Sequence, residues 1–167
     1  MRPLARGFSL LELTVAVVVL GVLLGFFLER LVFYQEVVER ARFEATLRIY
    51  KTALQIRLAE LMLERRESEA RTLEDENPTH WLSEIPTDYA GNYPGSPQPG
   101  YWYFDGQSRE LVYVALHAGR LAVTEHNGLK QLRFRPRIRY RTVTFAGGRA
   151  QAIAGVALES LIDYRWP

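Results

Sequence analysis

The chain has no cysteine among its 167 residues. That excludes a disulfide framework, and with it any cysteine-ligated structural zinc site. Histidine is scarce as well: His80, His117 and His126 are the three, and their spacing does not gather metal ligands. No Gly-x-Ser-x-Gly elbow, phosphate-binding loop or dinucleotide fingerprint occurs. The residues therefore point to no catalytic centre and to no cofactor. Net charge is nearly absent too. Lysine and arginine number 21 against 19 acids, a formal +2, and two of those arginines lie in the first seven residues. From residue 8 onward the count is 19 against 19, so binding to nucleic acid would need a local asymmetry. No internal repeat is evident, and the length allows one domain beyond an anchor. Finally, proline and glycine are missing from Glu29 to Leu73, which leaves that stretch free to be one long helix.

What is present begins with a 21-residue apolar run, Phe8 to Leu28, interrupted near its start by a single acid, Glu12. At about 1.5 Å per residue such a helix spans about 31 Å, the thickness of a bilayer's hydrocarbon core. A charge at mid-bilayer costs about 2.5–3.5 kcal/mol on insertion scales, and less near an interface, so an intramembrane acid implies function. The run is too long for a signal-peptide apolar region, and no small residues suited to cleavage follow it. It reads as a retained anchor. Arg2 and Arg6 precede it without an acid, which orients the amino terminus to the cytoplasm and the rest of the chain to the far side. A plain anchor, with Glu12 reaching back to the headgroups, explains the hydrophobicity but not the ordered Gly-Phe-x-x-x-Glu.

Gly7-Phe8-Ser9-Leu10-Leu11-Glu12-Leu13-Thr14-Val15 resembles the processing and methylation signal of type IV pilins and type II secretion pseudopilins. The resemblance implies a leader, residues 1–7, removed by a prepilin peptidase between Gly7 and Phe8, with Phe8 then N-methylated. It implies that Glu12 pairs with the new amino terminus of a neighbouring subunit, and that Gly21 is a stem glycine of the family. An opposite charge within about 4–6 Å favours the ionised acid. The implied partners are the peptidase, other pilin or pseudopilin subunits in a homo- or hetero-polymer, and an inner-membrane assembly platform. Many pilins carry a proline where this chain has Glu29.

The rest of the chain divides by pattern. Residues 8–28 form the membrane stem and 29–73 its amphipathic continuation. In that continuation Val38, Ala41, Ala45, Ile49, Thr52, Ile56, Ala59 and Leu63 recur every three or four positions, broadened by Leu47, Leu54, Leu58 and Leu61. Nine of the thirteen residues from Glu64 to Glu76 are charged, the composition of a solvated helix end or a subunit contact. Residues 74–100 are a loop dense in proline and glycine, pinned by Trp81, Leu82, Ile85, Tyr89 and Tyr93. Within and beyond it, Asp88, Asn92 and Asp105 are candidate ion ligands without a recognisable calcium-loop spacing.

Residues 101–167 read as an antiparallel meander, with strands over 101–104, 110–117, 120–125, 131–145 and 150–158. Turn signals stand at Asp105-Gly106, Ala118-Gly119, Asn127-Gly128 and Gly147-Gly148. Residues 111–116 are apolar on both faces and fit an interior strand, while Pro136 requires an edge or a bulge. Arg133, Arg135, Arg137, Arg139 and Arg141 alternate with Leu132, Phe134, Pro136, Ile138 and Tyr140, so a continuous strand carries five guanidiniums on one face. That face is either solvated with scattered carboxylate partners, or a surface for acidic residues of the next subunit, or one for nucleic acid. The expected architecture is α+β and pilin-like, a long N-terminal helix packed on a sheet.

Three functions remain open on these residues: a minor pilin, a type II secretion pseudopilin, and a periplasmic binding module on a plain anchor. Pro86-Thr87-Asp88-Tyr89-Ala90-Gly91 and Pro99 to Asp105 resemble segments of minor pilin-like proteins of mannose-sensitive-haemagglutinin-type systems, and the missing cysteines speak against a disulfide-looped major pilin. The expected location is the inner membrane, with the C-terminal part periplasmic, and then a filament.

Overall fold

The computed structural model describes residues 9–146 and 148–167. They fall into two compact units that divide between Val38 and Glu39. Helix α1 runs Leu10–Leu63 and contributes to both. Six strands follow: β1 (Tyr89–Asn92), β2 (Tyr101–Asp105), β3 (Glu110–Val114), β4 (Glu125–His126), β5 (Leu129–Phe145) and β6 (Gly148–Ser160). The fold class is α+β, as expected.

In the unit up to Val38, every described side chain from Leu10 to Gln35 is exposed. An 18-residue window of α1 near the N-terminus has a mean hydropathy of 2.6 and none of it is buried. By length and composition the helix can cross a membrane.

In the unit from Glu39, α1 lays one stripe on the sheet: Phe43, Leu47, Tyr50, Leu54, Leu58 and Leu61, at intervals of three and four, are all buried. This corrects the expected phase. Val38, Ile49, Ile56 and Leu63 are exposed, and the positions taken as broadening the stripe are the ones that pack. Two apolar stripes share the helix, and the sheet took the one with the larger side chains, which bury more area per residue. Phe43 stacks on Trp102 at 5.3 Å between centroids and lies 5.0 Å from Tyr113 and 5.5 Å from Trp166. Leu111, Leu132, Ile138, Val156 and Leu158 complete the core.

The helix ends at Leu63, short of the expected residue 73. Arg65 takes a left-handed φ of 56°, Arg66 N–H donates to the Leu61 carbonyl (2.8 Å) and Arg65 N–H to that of Met62 (3.2 Å). This is the bond pattern of a Schellman stop. Glycine usually marks it in sequence; an arginine there hides it. A 3-10 helix, Glu67–Glu74, follows and packs on β5, where the Glu74 carboxylate accepts the Ile138 N–H (2.7 Å).

Over residues 101–167 every strand pair is antiparallel, as expected, and the sheet becomes mixed only through β1. β1 forms inside the proline-rich segment and pairs parallel with β2. The order is β1-β2-β3-β5-β4, with β6 also on β5. β3 is interior and buried along its whole length, as its two-faced apolarity required. Residues 120–125 give only the bridge Ala122–Arg165 and the first residue of β4. Asn127 and Gly128, both at positive φ, make the tight β4–β5 turn. Asp105-Gly106 does not close a two-residue hairpin: Asp105 faces Glu110 across a loop that Arg109 enters at φ 58°. β5 pairs with β3 only up to Phe134. Pro136 lies just past that point, and Ile138, on the same side of the strand, directs its N–H to Glu74, so the proline's missing donor costs β6 nothing. Trp81, Leu82 and Tyr89 pin the loop to the core and Tyr93 packs on the opposite face beside Tyr103, whereas Ile85 is exposed.

Candidate assembly site

On the stem, Glu12 shares a shallow strip with Leu11, Val15, Ala16, Val19, Leu20 and Leu23. The i+3 and i+4 spacing of a helix brings these residues onto one side, so the single acid stands at the end of an otherwise apolar strip. Nearby, the Thr14 hydroxyl satisfies itself by donating to the Leu10 carbonyl at 2.9 Å. A Cβ added at Gly21 or Gly25 would meet nothing within 4 Å, so no contact among the described residues requires either glycine. Gly7 and Phe8, the expected cleavage and methylation positions, lie outside the described residues.

The arginine strand is continuous: β5 carries Arg133, Arg135, Arg137, Arg139 and Arg141 at every second position. Carboxylates of this chain meet four of them. Arg133 pairs with Glu110 (2.9 Å) and reaches Asp105 (3.5 Å); Arg135 shares Glu110 (2.9 Å). Arg137 is 4.0 Å from Glu74, and Arg139 is 3.0 Å from Glu159. Among the described residues Arg141 has no carboxylate partner. The Arg133 end is the ordered one. Its guanidinium also donates to Gln131 (3.2 Å), which is itself bonded to Tyr93, and lies 5.3 Å from the Tyr93 ring. Burial works against the Arg133 charge, but the hydrogen bond it donates to Glu110, together with the charge of Glu110 and the neighbouring Tyr93 and Asp105, outweighs burial and holds the pKa above the ordinary value. Burial likewise pushes Asp105 up. The Ser108 and Gln107 bonds, with Arg133 beside them, bring its carboxyl below the usual range.

Sequence reasoning passed over Glu39. Its carboxylate, 9% exposed, accepts from the Tyr113 hydroxyl (2.8 Å), the Leu116 N–H (2.7 Å), the His117 N–H and the His117 ring. A buried charge needs that many donors. Burial, and then the Glu39 charge, push the Tyr113 hydroxyl pKa well up. The available signal was position: Glu39 is four residues before Phe43, on the packed stripe. Glu39 thus fixes helix against sheet, and His117 is absorbed by that clamp. Asp88 accepts from Thr46 (3.1 Å) and Asp105 is engaged as above, so these candidate ion ligands have bonds of their own. Among the described residues no three His, Asp or Glu side chains gather as a metal site.

Residues 2–28 match the family described as the prokaryotic N-terminal methylation motif. Over those residues the chain is similar to type IV pilin-like proteins. That motif supports processing by a prepilin peptidase, membrane anchoring and assembly with other pilin subunits, and it points to a structural subunit of the pilin or pseudopilin kind. No curated protein and no solved structure matches the chain.

Proposed function

We propose that this chain is a minor subunit of a type IV pilus-type filament, cut between Gly7 and Phe8, N-methylated at Phe8, and polymerised through its stem helix. Glu12 takes the methylated amino terminus of an adjoining subunit, and Gly21 lets stems approach closely. The supporting observation is Glu12, the one carboxylate on the exposed apolar stretch of α1 from Leu10 to Leu28, inside the residues that match the methylation motif. In lipid an acid without a counter-charge is costly, and a partner's ammonium at the same depth removes that cost. Residues from Glu39 onward then lie in the periplasm and later on the filament's outside, after passage through an inner-membrane assembly platform.

Mass spectrometry of the membrane-extracted protein tests this reading. A mature terminus at methylated Phe8 is expected; an intact Met1, or a cut beyond Leu28, overturns it. Deletion of the gene separates the two filament types. Lost pili with secretion intact keep the minor-pilin reading, and lost secretion with normal pili replaces it with a pseudopilin.

A further inference from the structure

The far end of the β5–β6 ribbon is unlike the rest of the sheet. β3 leaves β5 at Phe134 and the 3-10 helix covers it at Ile138, so from Arg139 to Phe145 β5 is paired by β6 alone. Those seven residues extend for about 23 Å. The register slips between Arg139 and Tyr140, where Ala154 is the extra residue on β6 and Gly155 sits at φ 159°. From Arg139 to Gln151 every described residue is exposed. Among them are Tyr140 (44%), Val143 (39%) and Phe145 (56%). A bare two-stranded ribbon is marginal in water, and one that also holds out aromatic and branched side chains has surface left to cover.

Its charge says what covers it. Residues 139–153 contain Arg139, Arg141 and Arg149 and no acid. Arg139 is paired with Glu159, but Arg141 and Arg149 have no carboxylate partner among the described residues. The complementary surface is the 64–76 segment, which within one chain touches only the base of the ribbon, through Glu74 at Arg137 and Arg71 at Tyr140. Residues 64–76 hold six acids against three arginines. Of these acids, Glu67 and Glu76 are exposed and without a basic partner among the described residues.

We propose that the 139–153 ribbon is an arm that docks on the acidic 64–76 segment of a second copy of this chain. The inference rests on the filament reading. Two different patches meeting make a heterologous contact, which does not close on itself and so suits copies of this chain that are neighbours along a filament, however few they are. Exposed charges set the register and the salt dependence, while Val143 and Phe145 supply the apolar area.

The absence of native cysteine makes the test direct. Two differently tagged full-length copies are co-expressed, one with Val143→Cys and the other with Ser68→Cys, and the membranes are mildly oxidised. A disulfide-linked heterodimer is expected. Its yield should fall about fivefold when Arg141→Glu and Arg149→Glu are added to the first copy, or when salt rises from about 50 to about 500 mM. Adding Glu67→Arg and Glu76→Arg to the second copy should restore it. An Ala16→Cys pair on the stem reports on assembly independently. Stem cross-links without the arm cross-link overturn the docking and leave the filament reading standing; loss of both overturns both. Homodimers of Val143→Cys in place of the heterodimer overturn the assigned partner. So does retention of a DNA oligonucleotide that depends on Arg141 and Arg149 while no cross-link forms, which reassigns the arm to nucleic acid.

Discussion

From Leu10 to Leu28, α1 keeps apolar residues on every side, with Glu12 its one charged residue; from Glu39 to Leu63 it buries its large side chains on one side and mixes charge with exposed apolar residues on the other. The second pattern needs a partner within the same chain, and the sheet provides it through Phe43, Leu47, Tyr50, Leu54, Leu58 and Leu61. The first has no such partner, since every described side chain there is exposed. An all-round apolar helix is a demand on the surroundings, met by lipid or by other stems. A helix that mixes charge with apolar stripes has its demand met by the core of its own chain. The two carboxylates follow the same division. Glu39 is buried and saturated by donors of this chain, whereas Glu12 lies on a strip that offers it nothing.

The sharpest way to break this comparison is at Glu12. Glu12→Ala should insert in the membrane at least as well as the wild type, yet lower the sheared filament fraction by about tenfold or more, where each tenfold corresponds to about 1.4 kcal/mol. Equal filament yield would remove the intermolecular role of that acid. Next comes Phe43→Ala, which empties an aromatic centre packed by Trp102, Tyr113, Phe134 and Trp166. It should cost about 3–5 kcal/mol and show as a fall in thermal midpoint by tryptophan fluorescence. Leu20→Ala, an equally apolar truncation in the stem, should leave that midpoint unmoved, because Leu20 is exposed and lies outside the core formed by the described residues. Glu39→Ala is smaller. The Tyr113 hydroxyl and two loop N–H groups lose their acceptor, at about 1–3 kcal/mol in a denaturant titration.

The smallest effect depends on pH. Folding lowers the Asp105 pKa, so the folded chain binds fewer protons there than the unfolded one. The stability this gives is complete above about pH 4 and is lost as pH falls through the lowered value. Asp105→Asn should therefore flatten the stability profile below about pH 4, with little change near neutrality. Parallel profiles for wild type and variant across that window would contradict the assignment.

Much of the fold was legible because local chemistry decided it. Asn127-Gly128 fixed a turn by tolerating positive φ twice, and the two-faced apolarity of residues 111–114 fixed an interior strand. Other features were hidden for identifiable reasons. Periodicity reports that a stripe exists but not which of two stripes is packed, so Ile49 and Ile56 were placed inward and Phe43 and Tyr50 were not. The helix stop was invisible because Arg65 does what glycine usually does. β1 was missed because a four-residue edge strand survives among prolines once β2 supplies its partner. The candidate stem site was readable as an ordered motif, since it acts as linear sequence. The pairing of the arginine strand was not, since Glu74, Glu110 and Glu159 are distant in sequence from the guanidiniums they meet.

Sequence alone determined the membrane-length apolar helix, the acid placed at its start, the methylation motif and the α+β class. Each follows from composition and short-range order, which need no knowledge of distant contacts. Only the tertiary structure decided which helix face is buried, that Glu39 clamps it to the loop after β3, and which arginines are already neutralised. Those outcomes depend on groups tens of residues apart being brought within hydrogen-bonding distance, and no local pattern encodes that.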